Sequence, residues 1–164
     1  MKQPTPSLRR IFRTLFEHRA DFIVVGGVGG VLHGAPLNTL DLDIVHSREP
    51  ENLERLLKAL DALDARYRTP GMANQKPEIS HLALDGHHLL KTGAGALDLL
   101  GTIGKGHSYE DLLPESKPMN VGKGLKVRVL DLPALISIKE ETAQEKDKLA
   151  LVILRRTLEE KSRK

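Results

Sequence analysis

From residue 7 the apolar positions recur as Leu8, Ile11, Phe12, Leu15 and Phe16, the i, i+3, i+4, i+7, i+8 spacing that lays one stripe along a helix. This predicts an amphipathic helix over 7–20 with Ser7 as its N-cap. The period then changes. Phe22 to Val25 is an unbroken apolar run rich in β-branched residues and ends at Gly26-Gly27, which predicts a strand, a tight turn and a short helix over 28–33. After the turn-forming Gly34-Ala35-Pro36, the stretch Leu40-Asp41-Leu42-Asp43-Ile44 alternates with period two. A strand there has Leu40, Leu42 and Ile44 on one face and both aspartates on the other.

Leu53, Leu56, Leu57, Leu60 and Leu63 return to helical spacing behind Pro50, predicting a helix over 50–64. The polar, turn-rich segment 67–75 reads as a surface loop. Three strand-like pieces follow, 79–84, 88–92 and 96–100, separated by Asp85-Gly86 and Gly93-Ala94-Gly95. Residues 101–117 read as an irregular connection with one helical turn, and 118–121 with 125–130 as a hairpin around Gly122-Lys123-Gly124. Asp131 then caps a helix over 132–142 that carries Lys139. A last helix over 145–161 is expected to bury Leu149, Val152, Ile153 and Leu158. No repeat or linker divides the chain, so 1–164 reads as one α+β domain: an N-terminal helix (1–20), an α/β core (21–130) and C-terminal helices (131–164).

Composition narrows the chemistry. With 40% hydrophobic and 29% charged residues a packed core is expected. Three Phe, two Tyr and no Trp leave too few rings for a face that stacks unpaired bases. A formal charge of +3 does not mark a dedicated nucleic-acid binder, and the absence of Cys excludes disulfides, Cys-ligated zinc, iron–sulfur clusters and thiol nucleophiles. No apolar run reaches the length of a signal peptide core or a membrane span, so a cytoplasmic protein without a membrane partner is expected.

Carboxylates two apart on a strand have Cα atoms about 6.5 Å apart and point the same way, close enough to share a hard cation. Asp41 and Asp43 have that spacing, which also suits an acidic, solvated strand face. Gly26-Gly27 after a strand is either a tight turn or a place where backbone N–H groups meet phosphate. Asp98 lies inside an apolar run, where an unpaired charge would be costly; it is a third ligand or an edge-strand residue bonded to a loop. His33 reads as a turn-stabilising residue, and His81, His87, His88 and His107 lack the spacing of a metal cluster.

Taken together, Val25-Gly26-Gly27, His33-Gly34-Ala35-Pro36, Thr39-Leu40-Asp41-Leu42-Asp43-Ile44, Leu97-Asp98-Leu99 and the tail segment from Leu130 to Lys139 resemble the minimal nucleotidyltransferases of the DNA polymerase β superfamily. These are small bacterial and archaeal proteins, some of them in toxin–antitoxin or defence systems. The resemblance spans roughly residues 20–155. It implies a mixed β-sheet flanked by helices, with a C-terminal helical tail, and transfer of a nucleoside monophosphate from a nucleoside triphosphate to an acceptor hydroxyl of RNA, a protein or a small molecule. On that basis Gly26 and Gly27 would hold the triphosphate. Asp41, Asp43 and Asp98 would bind two Mg²⁺ ions, with Asp98 also the base. Lys139 would reach the triphosphate or brace the site, or else be a solvated helix lysine. Relatives often have Ser after the first glycine and a basic residue where Leu37-Asn38 stands here. Those departures define the alternative, a non-catalytic nucleotide-binding or partner subunit. Chain length leaves the oligomeric state open, a homodimer or a partner protein being ways for so small a chain to close its cleft.

Overall fold

The computed structural model of the protein describes residues 5–39 and 41–163. The chain runs α1 (Pro6–Glu17), β1 (Phe22–Val25), α2 (Gly26–Leu32), β2 (Leu42–His46), α3 (Pro50–Ala62), β3 (Arg66–Tyr67), α4 (Ile79–Leu82), β4 (His87–Thr92) and β5 (Gly95–Leu100). It continues through β6 (Thr102–Ile103), β7 (His107–Ser108), α5 (Tyr109–Leu112), β8 (Ser116–Asn120), β9 (Lys126–Leu130), α6 (Leu132–Glu141) and α7 (Lys148–Ser162). Seven strands form one sheet in the order β3-β4-β5-β2-β1-β9-β8. The sheet is mixed: β1 is antiparallel to β2 and parallel to β9, while β2 is parallel to β5. Helices flank it and two close the chain, as expected for this α+β class.

Strand alternation sorts the core into two layers. Phe22, Val24, Leu42, Ile44, Leu97 and Leu99 face a layer with Phe12 and Leu15 of α1, Leu56 and Leu60 of α3, and Leu82 of α4. Ile23, Val25, Val45 and Leu100 face the other layer, with Leu135 and Ile138 of α6 and Leu151 and Leu154 of α7. The short helix α2 contacts β1, β2, β9 and α6. A Cβ at its Gly30 would lie 2.8 Å from Leu154 Cδ2, so the glycine lets α2 and α7 approach closely.

Several expectations are corrected. The cap of α1 is Thr5, whose Oγ1 accepts from the Leu8 N–H at 3.2 Å, rather than Ser7. Pro6 suits the first turn and shifts the start. Phe16, at the edge of the predicted stripe, is 55% exposed. Residues 79–84 are not a strand: Glu78 and His81 form a capping box that starts α4, where Leu82 is buried while Ile79 and Leu84 are exposed. The last helix begins at Lys148 after a 3₁₀ turn over Glu145–Asp147. In that helix Leu151, Leu154 and Thr157 are buried and Ile153 and Leu158 pack against the same core, as expected for those two, whereas Leu149 and Val152 stand in solvent. Asp131 is the N-cap residue of α6, yet its side chain makes no cap bond and pairs with Lys117 at 3.4 Å. Leu40, the first residue of the predicted alternating strand, lies outside the described residues, and β2 begins at Leu42.

Candidate active site

The parallel register of β2 and β5 sets Asp43 directly beside Asp98. Alternation turns both away from the Leu42 and Leu97 layer, toward the side where α6 and α7 pack. Asp43 is half-buried and Asp98 is buried. Two carboxylates so placed resist carrying two charges. The Asp43 carboxyl is pushed up to about 7, chiefly by burial, then by the charge of Asp98, by a hydrogen bond from protonated Asp43 to Asp98, and by the charge of Asp41. Arg68 pulls it the other way.

Arg68 belongs to the segment that reads from sequence as a surface loop, and nothing in the local pattern marks it. Its Nη1 donates to Asp98 Oδ1 at 2.6 Å, and its Nη2 lies 3.9 Å from Asp41 Oδ2. Asp41 precedes β2 and is exposed, in contrast to the expected strand position. The three aspartates are thus brought to one neighbourhood, with a guanidinium between two of them.

Gly26, at the turn from β1 into α2, has φ +65°, and a Cβ there would run into the Asp43 carboxylate. Both the backbone conformation and the close approach require glycine. A Cβ at Gly27 would come within 3.1 Å of the Thr39 side chain. Beside this turn opens a cleft of about 310 Å³ lined by Gly26, Gly27, Asp43, His87 and Lys139, with apolar walls from Leu135, Ile138 and Leu154. Lys139 is half-buried and pairs with Asp147 at 3.4 Å, which links α6 to the start of α7. Gly26, Gly27, Asp43 and Lys139 therefore share one cleft, whereas Asp41 and Asp98 join the group from the Arg68 side. A larger cavity of about 540 Å³ around Phe16, Tyr109 and Arg128 contains none of these residues.

His33 caps the C-terminus of α2. Its Nε2 donates to the Leu130 carbonyl at 2.8 Å, leaving Nδ1 to accept from Lys161 Nζ at 3.0 Å. Burial lowers its pKa and favours that neutral form. The residue ties α2 to β9 and α7, matching its reading as a turn stabiliser. The other histidines named from sequence are dispersed: His107 bonds Glu141 and His87 lies 3.1 Å from the Thr102 carbonyl oxygen, while His81 and His88 pack on Tyr67.

The donors are of the type a hard divalent cation takes, because all three are carboxylates. Among the described residues no three His, Asp or Glu side chains form a group that could hold a metal ion, and Asp41 and Asp98 engage Arg68.

No protein-family model and no curated protein matches the chain by sequence. Solved structures do match the fold. The lincosamide antibiotic adenylyltransferase LnuA, with lincomycin bound, has TM-score 0.62 and 15% identity over 94% of this chain and 98% of its own. The antibiotic-resistance factor ANT(2'')-Ia has TM-score 0.60 and 16% identity over 93% of this chain and 82% of its own. A candidate nucleotidyltransferase of Thermotoga maritima, TM1012, has TM-score 0.57 and 16% identity over 93% and 91%. The chain has the nucleotidyltransferase fold, as the sequence resemblance implies. No helix among the described residues is long and apolar enough to cross a membrane.

Proposed function

We propose that the protein is a Mg²⁺-dependent nucleotidyltransferase that moves a nucleoside monophosphate from a nucleoside triphosphate to an acceptor hydroxyl. The observation that carries this reading is the Asp43–Asp98 register, set against Gly26 at a cleft in a fold shared with adenylyltransferases. The acceptor oxygen attacks the α-phosphorus, its proton passes to Asp98, and the bond from the α-phosphorus to the bridging oxygen breaks to release pyrophosphate. Asp41, Asp43 and Asp98 would hold Mg²⁺, which when bound neutralises phosphate charge. Gly26 and Gly27 admit the triphosphate close to the backbone, and Lys139 offers a cation on the same cleft. Most of the catalytic effect is positioning.

A small hydroxylated molecule is the acceptor class we favour. The supporting observations are the lincomycin bound to LnuA and the adenylyl-2''-tobramycin in complex with ANT(2'')-Ia. A second reading, a nucleotide-binding subunit without turnover, is favoured by one observation, the bond from Arg68 that engages Asp98.

Thermal unfolding with each of the four nucleoside triphosphates, with Mg²⁺ and with EDTA, tests binding without a known acceptor. A ligand at 100 times its Kd stabilises by about 2.7 kcal/mol. The expected result is a Mg²⁺-dependent rise for at least one nucleotide that disappears in Asp43→Asn. No rise with any of the four at millimolar concentration overturns the proposal. Transfer of label from the α-phosphate to hydroxylated acceptors then separates the readings, since stabilisation without transfer supports the second.

A further inference from the structure

Arg68 is held in place by backbone before its charge is considered. Its N–H donates to the Leu89 carbonyl at 3.0 Å, and its Nη1 donates to the Leu90 carbonyl at 2.7 Å. Leu89 and Leu90 lie on β4, where they pair with Asp98 and Leu97 of β5. Residue 68 is therefore delivered to the carboxylates by strand register. From there Nη1 reaches Asp98 and Nη2 approaches Asp41.

A guanidinium engages carboxylate lone pairs through N–H donation, and a hard cation needs the same lone pairs. Arg68 takes up part of the Asp98 lone-pair set that a hard cation would use, and two cations at this range repel each other. The Arg68 side chain is 30% exposed, so it has a path to solvent that leaves the core packing in place. We propose that Arg68 is an internal counter-cation that competes with a divalent cation for Asp41 and Asp98, so that loading the site requires the guanidinium to turn outward. The inference rests on the metal site proposed above. It makes Arg68 a positioning residue that keeps the acidic group assembled without metal and weakens metal binding in return.

The test is direct titration of the whole chain with Mn²⁺, read by the paramagnetic signal of the free ion, for wild type, Arg68→Ala, Arg68→Gln and the double variant Arg68→Ala with Asp43→Asn. Thermal unfolding checks that each is folded. Arg68→Gln retains a side-chain donor without the charge, so it covers the case in which the alanine variant fails to fold. The expected result is Mn²⁺ binding at least about tenfold tighter in Arg68→Ala and Arg68→Gln than in wild type, a change of about 1.4 kcal/mol, and loss of that binding in the double variant. Binding at wild-type or weaker affinity in folded Arg68 variants overturns the competition while leaving the metal site standing. No Mn²⁺ binding by any variant overturns the metal site itself and the inference with it.

Discussion

On the sheet face covered by α1, α3 and α4, His46 is fully buried with its Nε2 2.9 Å from the Leu82 carbonyl oxygen, and no partner for its Nδ1 is found among the described residues. Its ring lies 6.3 Å from that of His88, whose Nδ1 is 3.1 Å from the Tyr67 hydroxyl oxygen. Burial pushes His46 down to about 4 and lowers His88. On the opposite face, three residues earlier on the same strand, Asp43 stands beside Asp98 and is pushed up to about 7. The chain treats the two polar groups differently. The histidines are accommodated by becoming neutral inside a core. The aspartates are gathered in register next to a cleft and balanced by Arg68. A neutral buried base is a structural solution. Carboxylates held together against their repulsion beside a cleft are where the proposed cation site lies.

The comparison breaks most sharply at Asp43. Asp43→Asn is expected to slow nucleotidyl transfer by about 10³-fold, the scale of losing a group that stabilises transition-state charge, while unfolding shows a midpoint at or above wild type because the repulsion with Asp98 is gone. A variant with wild-type turnover removes Asp43 from the site. Packing is the next lever. Phe12→Ala, on the histidine face and fully buried, is expected to cost about 3–5 kcal/mol in urea unfolding. Leu135→Ala is expected to cost about 2 kcal/mol, near the low end of that series, because Leu135 already borders the cleft. Equal losses would mean that the faces are packed alike.

The two faces also predict opposite pH dependence. Below pH 6.5 the unfolded chain protonates His46 while the folded chain resists until about 4. Stability from this group is full above 6.5 and declines by roughly 3 kcal/mol as pH falls toward 4. Asp43 has the reverse sign: the folded chain keeps a proton up to about 7 that the unfolded chain releases near 3.8, so its contribution is lost as pH rises through that window. Urea unfolding across this range should show stability that rises on acidification for His46→Phe and a steeper loss on acidification for Asp43→Asn; the same profile in both variants would refute the assignment. The smallest effect is expected at Gly30→Ala. The new Cβ crowds the ends of Leu154 and Leu37 and reaches ordinary contact with the Ala35 Cβ, and the helix-propensity gain offsets much of the crowding, leaving about 1 kcal/mol or less.

Much of this was legible from the chain alone because periodicity is local. The stripe of α1, the run of β1, the leucines of α3 and the hairpin of β8 and β9 occupy nearly the predicted spans. Misreadings fall where a few residues decide. In 79–84 a capping box outweighed a short apolar alternation, and in the last helix the near-continuous apolar run 149–154 left the inward face to be chosen by packing, which buries Leu151 and Leu154. Arg68 was invisible for a different reason: its partners, Leu90, Asp98 and Asp41, are contributed by other elements.

The sequence by itself determined which residues could form strands and helices and which strand face Asp43 would occupy, because side-chain alternation and helical spacing follow from backbone geometry one residue at a time. Only the tertiary structure decided that β5 lies against β2 in the register that sets Asp98 beside Asp43, that Gly26 must lack a Cβ because that carboxylate is there, and that Arg68 enters between Asp41 and Asp98. Register and neighbourhood are contacts between distant segments. They are selected by burying both faces of the sheet at once, and no local pattern encodes them.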